Sequence, residues 1–190
     1  MLAEIKRLLP ISTFSRLLAV FIGAALIGYV FAVRSPEAAF EAVRRIAEQI
    51  GPISDSNFRN FLMIFTNNSM VALLMVLSGL FFGLGPWFIM AFNGFIVGLV
   101  VRAVQIRGEL SPGQIILGIL PHGIIEIPAL AIAGTAGIVW YRELVAGEGE
   151  TAERFKRGGK RALKLFAASV LFLLFAAFVE AYITPNVAGI

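Results

Sequence analysis

NFLMIFTNNSMVALLMVLSGLFFGLGPWFIMAFNGFIVGLVV, residues 60–101, runs for 42 positions without an acidic or basic side chain. A bilayer core about 30 Å thick needs about 20 apolar residues per helix, so this stretch holds two spans rather than one. The Gly83-Leu84-Gly85-Pro86 cluster divides them. Glycine and proline there end one helix and open the next, which predicts spans over 60–82 and 86–104.

The same pattern extends outward in both directions. Upstream, 13–33 is a span whose uncharged part is longer than the roughly 7–15-residue core of a secretory signal, and Arg34 follows it with no small-residue cleavage site. Downstream, 113–141 would be about 43 Å long as a straight helix, more than a bilayer core. Pro121-His122-Gly123 offers a place to break it into a short entering segment, 112–120, and a full span, 123–141. The last span, 165–183, carries Glu180 and is expected to stop at Pro185. The expectation is an all-α membrane protein, a single integral membrane domain over 1–190 with about five transmembrane helices.

Composition agrees. The chain is 58% hydrophobic and 15% charged with mean hydropathy +0.86, whereas soluble domains are about 25% charged. With no cysteine there is no disulfide framework, thiolate metal site or cysteine nucleophile. With one histidine, His122, the chain cannot build a multi-histidine metal cage alone. The net charge of +4 comes from basic residues flanking apolar spans, so it argues for a membrane rather than nucleic acid.

Lysine and arginine set the expected orientation. Ten lie on the side of the N-terminus (Lys6, Arg7, Arg16, Arg142, Arg154, Lys156, Arg157, Lys160, Arg161, Lys164) and six on the other (Arg34, Arg44, Arg45, Arg59, Arg102, Arg107). The positive-inside rule then makes the N-terminus cytoplasmic and the C-terminus external, in a cell membrane. Two segments fall outside the hydrocarbon. Residues 36–50, with Ser35 as N-cap, Pro36 in the first turn and Phe40, Val43, Ala47 and Ile50 at helical spacing, read as an external amphipathic helix ended by Gly51-Pro52. It is expected to lie on the interface, to cap its own bundle, or to meet a partner. Residues 142–164 read as a basic cytoplasmic loop, either simply solvated or a site for anionic lipid or protein.

Polar side chains inside spans are the informative ones, because an unpaired polar group in hydrocarbon costs several kcal/mol. Counted along the helices, Asn67, Asn68, Asn93, His122 and Glu126 are all expected near mid-membrane. His122 and Glu126, at i and i+4, share a helix face. Such a group serves as interhelical glue, or carries a proton or small cation, or completes a metal site with a second subunit; alone it predicts no metal and no cofactor. No nucleophile elbow is present, and Glu126 with Glu180 forms a carboxylate pair only if helices and depths coincide, so no catalytic residue is assigned and no enzyme is expected. Small residues at Gly79 and Gly83, Gly94 and Gly98, Ala24 and Gly28, with Gly134 and Gly137, are spaced for helix contact, within one chain or in a homo-oligomer.

The order and spacing of Asn67-Asn68, Gly79, Gly83, Gly85, Asn93-Gly94 and Gly98, then His122-Gly123-Ile124-Ile125-Glu126-Ile127-Pro128-Ala129 and Ala133-Gly134-Thr135-Ala136-Gly137, resemble the stage II sporulation protein M family. The likeness spans roughly residues 60–140. It implies a multi-pass membrane protein whose sporulation members act with partner peptidoglycan-degrading proteins, although relatives also occur in organisms that form no spores and in archaea. Asn68, Asn93, His122 and Glu126 carry over as the polar constellation, the glycines as packing positions. The expectation is a non-enzymatic membrane component organising envelope or membrane partners; the alternative is a channel or transporter moving a proton or small cation at His122 and Glu126.

Overall fold

The computed structural model describes residues 8–50, 54–108 and 110–188; the side chains of Ala47, Gln49, Ile50, Ile119 and His122, and the Gly51-Pro52 stop, lie outside the described residues. Among those described are seven α-helices and no strand: α1 (Ile11–Arg34), α2 (Pro36–Ile50), α3 (Asn57–Ser78), α4 (Gly85–Arg107), α5 (Pro112–Ala146), α6 (Thr151–Phe178) and α7 (Thr184–Ala188), with a π-turn, Val179–Ile183, joining the last two. Five helical stretches are long and apolar enough to cross a bilayer. Their outer faces present side chains such as Ile22, Leu26, Phe88, Phe92 and Phe175, each at least 60% exposed, a surface that suits lipid and not water.

The turn between α3 and α4 forms where the glycines and proline predict it. Phe82 and Gly83 both take positive φ, 55° and 71°, and the chain reverses within six residues before Pro86 enters the first turn of α4.

The fourth span is not broken. α5 passes through Pro121 and Pro128 as one 35-residue helix. Each proline deprives one carbonyl of its donor, yet the helical path continues through both, with Pro128 leading into the buried run from Ala129. α5 is the centre of the bundle: 67% of its span segment is buried, against 17–39% for the other four. Ala129 to Val139 is continuously buried, and Leu17, Met75, Met90, Leu165 and Leu173 from four surrounding helices close on it. The mostly small residues of that run let the neighbours come close.

Two further expectations need correction. Residues 142–164 are not a loop: α5 runs on to Ala146 and α6 begins at Thr151, so only a four-residue turn separates them. Gly158 and Gly159 lie flat against the Trp140 ring, Trp140 Nε1 donates to the Phe155 carbonyl (3.0 Å), and Arg157 bridges to Glu143 at 2.7 Å; these contacts keep the basic segment helical beside α5. The last span also does not stop at Pro185. Proline cannot donate to the carbonyl four residues back and its ring crowds it; the helix answers by widening to a π-turn over Val179–Ile183, and Thr184 Oγ1 donates to the Val179 carbonyl (3.2 Å).

The amphipathic helix α2 has the expected bounds and caps its own bundle. Ala39 is buried against Ala32 and Leu99, and the Arg107 guanidinium lies 5.5 Å above the Phe40 ring. Its outer face carries Glu41 paired with Arg45 (2.9 Å) and Arg44 (2.8 Å), and these hydrogen bonds hold the Glu41 carboxyl below the usual range.

At the opposite end, Arg142 donates to buried Thr13 (3.1 Å) and Arg161 Nε to the Leu8 carbonyl (2.9 Å), which ties the start of α1 to the junction of α5 and α6. Within the apolar layer, Ser169 Oγ donates to the Ala129 carbonyl at 2.7 Å. Ser169→Ala is expected to cost about 1 kcal/mol, read as a small drop in detergent-phase Tm with unchanged helix content.

Candidate functional site

α3 and α5 run parallel in constant register. At one end a Cβ placed on Gly79 would overlap the Gly137 backbone, so the two helices touch backbone to backbone there. Eleven residues earlier on each helix, the same register brings Asn68 beside Glu126, close enough for its amide to act on the carboxylate. The glycine contact therefore sets the polar one: without two glycines the helices would stand too far apart for an asparagine to reach.

Glu180 arrives from the third direction. It is the second residue of the π-turn and faces Glu126 closely enough to act on it electrostatically. A π-turn shifts the helical phase of the residues beyond it and is a frequent mark of functional positions. Beside Asn68 on α3, the Ser69 hydroxyl is buried without a hydrogen-bond partner. Alongside, an apolar groove of about 400 Å³ opens between α5 and α6, lined by Ile124, Ile125, Pro128, Phe172, Phe175 and Val179.

The expected constellation is thus only partly assembled. Asn68 and Glu126 meet. Asn67, one residue along, is exposed on the other face of α3. Asn93 turns back on its own helix, donating to the Ile89 carbonyl at 2.8 Å. His122 lies on α5 one turn before Glu126, with its side chain outside the described residues. Glu180 acts on Glu126 instead, the pairing that the sequence allowed only if helices and depths coincide. Among the described residues no three His, Cys, Asp or Glu side chains gather as metal ligands. Two carboxylates that act on each other inside the bundle, with the Asn68 amide beside one of them, suit a proton or a small hard cation.

The packing glycines work within the chain. Gly94 and Gly98 on α4 seat against the Phe21 and Ala25 carbonyls of α1, and Gly28 against Phe95, so the α1 and α4 small-residue faces fill each other. Gly134 packs under Met75, Leu17 and Pro86, while Gly83 serves the turn, near Tyr141. None of these close approaches is left open for a second copy.

This architecture is that of a multi-pass α-helical membrane protein, with two carboxylates inside its bundle near enough to act on each other. The chain belongs to the stage II sporulation protein M family, whose family model matches residues 17–185. It is 37% identical to an uncharacterized protein of Methanocaldococcus jannaschii over 132 residues, 68% of this chain and 73% of that one. A second uncharacterized protein of the same organism is 30% identical over 146 residues, 73% of this chain; the chain spans 62% of that relative's length. No solved structure matches the chain.

Proposed function

We propose that this protein is a non-enzymatic membrane protein that moves a proton or small cation through its bundle, with Glu126 and Glu180 as the carriers and Asn68 as the donor that orients Glu126. One observation supports this most: inside the bundle Glu126 feels the Glu180 carboxylate from a second helix and the Asn68 amide from a third. Two carboxylates that repel each other in a low-dielectric interior favour a positive counter-charge, a proton or a cation, beside them. A transported ion is such a counter-charge.

The test is flux of protons and monovalent cations through purified protein in liposomes, wild type against Glu126→Gln, with both first matched for assembly state by size-exclusion chromatography. Flux in the wild type and a loss of at least tenfold in the variant are expected. A folded wild type that passes no ion under an imposed gradient overturns the proposal.

A second reading, in which the chain organises envelope or membrane partners, is favoured by the outward face of α2, where Glu41, Arg44, Arg45 and Glu48 form an exposed charged surface beyond the spans. Association between copies, expected from the glycine pairs, has to use other faces. In either reading we place the protein in the cell membrane with the N-terminus cytoplasmic and the C-terminus external, an orientation supported by the basic residues of α6 gathering at the same end as the start of α1.

A further inference from the structure

Residues 151–164 contain six basic side chains and one acidic one, Glu153, and the structure divides the six into two sets. The arginines turn to the protein. Arg154 donates to the Val145 carbonyl (3.3 Å) and to Thr151 (3.2 Å), Arg157 to Glu143 (2.7 Å) and the Glu148 carbonyl (2.7 Å), and Arg161 to the Leu8 carbonyl. The lysines are placed differently. Lys156, Lys160 and Lys164, at i, i+4 and i+8, stand exposed on the side of α6 opposite buried Gly158, Ala162 and Leu165. Lys156 and Lys160 make no hydrogen bond or ion pair among the described residues, whereas Lys164 also interacts within the protein. The division suits the side chains: the guanidinium fork grips carbonyls and carboxylates, whereas the ammonium is a compact charge on a flexible stem.

Their height above the hydrocarbon is set by length. The helical column Thr151–Val187 is 37 residues, about 55 Å at 1.5 Å per residue, against about 30 Å of hydrocarbon. Its uncharged part begins at Leu165, directly after Lys164, so Lys164, Lys160 and Lys156 stand about 0, 6 and 12 Å outside that boundary. The headgroup layer is about 5–8 Å deep on each side. Two lysines lie within it and the third is within reach of it. On the same flank Leu163 is 66% exposed, an apolar side chain at the level where acyl chains begin.

We propose that Lys156, Lys160 and Lys164 form a binding face for the headgroups of anionic phospholipids in the adjacent leaflet, held in position by the three arginines behind them. The lysines supply the charge for the lipid phosphates, and Leu163 meets the top of the acyl chains. The proposal is independent of ion transport at Glu126.

The test is binding of fluorescent phosphatidylglycerol to the full chain in detergent micelles, with phosphatidylcholine and inorganic phosphate as competitors. Each lysine near a charged surface contributes about a fivefold preference, so Lys→Gln at all three positions is expected to cut the preference for phosphatidylglycerol over phosphatidylcholine roughly a hundredfold. Lys→Arg at all three is expected to keep it. A folded triple Lys→Gln variant with undiminished preference overturns the proposal. So does inorganic phosphate displacing the labelled lipid as well as unlabelled phosphatidylglycerol does, because the face would then recognise free phosphate.

Discussion

Gly98→Ala is expected to destabilise the protein by about 3 kcal/mol or more, and Gly23→Ala to leave it unchanged or slightly more stable. Both glycines lie in apolar helices, α4 and α1, where alanine is ordinarily the better helix former by about 1 kcal/mol. A Cβ at Gly98 would overlap the Ala25 carbonyl oxygen and lie 2.9 Å from the Tyr29 nitrogen. Both obstacles are backbone atoms, so no side-chain rotation relieves the clash and α1 must move away from α4 along its length. Overpacking a well-filled contact costs about 1–3 kcal/mol, and backbone against backbone falls at or beyond the top of that range. At Gly23 nothing lies within 4 Å. Thermal unfolding in detergent, monitored by circular dichroism, separates the two: a large drop in Tm for one and none for the other. Equal behaviour would mean that α1 and α4 do not meet along their glycine faces.

Asn68→Asp is expected to cost several kcal/mol, far more than Asn68→Ala, and most of that cost is expected to vanish when Glu126→Gln is added. The aspartate places a third carboxylate against Glu126 and Glu180 and removes the single amide donor, and an uncompensated buried charge costs about 3–5 kcal/mol. Asn68→Ala merely removes a hydrogen bond, worth about 1 kcal/mol between membrane helices. The coupling is read from a double-mutant cycle on unfolding free energy, with both single variants and the double variant in the same detergent. Additive effects would place Asn68 and Glu126 apart and remove the basis of the proposed ion site. A coupling of about 2 kcal/mol or more, on the order seen for residues in direct contact, supports it. The measurement is independent of flux, so a failure of transport and a failure of the site's geometry are distinguishable.

Much of this molecule was legible in its order of residues. Helices in lipid must satisfy their backbone groups internally, so run length, charge gaps and glycine-proline clusters locate the first three spans to within a few residues. The bounds of α2 come from Ser35-Pro36 and a stripe of helical period in the same way. Proline was the weaker guide: Pro121 and Pro185 signal a break or a stop in an isolated helix, yet α5 runs on unbroken past the first, and a π-turn carries the last helix past the second.

The site was half legible. Asn68 and Glu126 stand out because polar groups inside spans are costly, but so do Asn67 and Asn93, and nothing local distinguishes a side chain that crosses to another helix from one that faces outward or bonds its own turn. Likewise, six basic residues between Thr151 and Lys164 look equivalent until the arginines are seen to hold carbonyls and the lysines to lie on the opposite side of α6 from its buried face. By itself, then, the sequence determined a five-span helical membrane protein with a few buried polar groups, since hydrophobic run length and the cost of unpaired polarity act locally along the chain. Only the tertiary structure decided that Glu180 joins Glu126, that the glycine faces are filled within one chain, and which arginines hold the protein's own carbonyls, because each depends on the rotation and depth of one helix against another, set by backbone contacts between residues far apart in sequence.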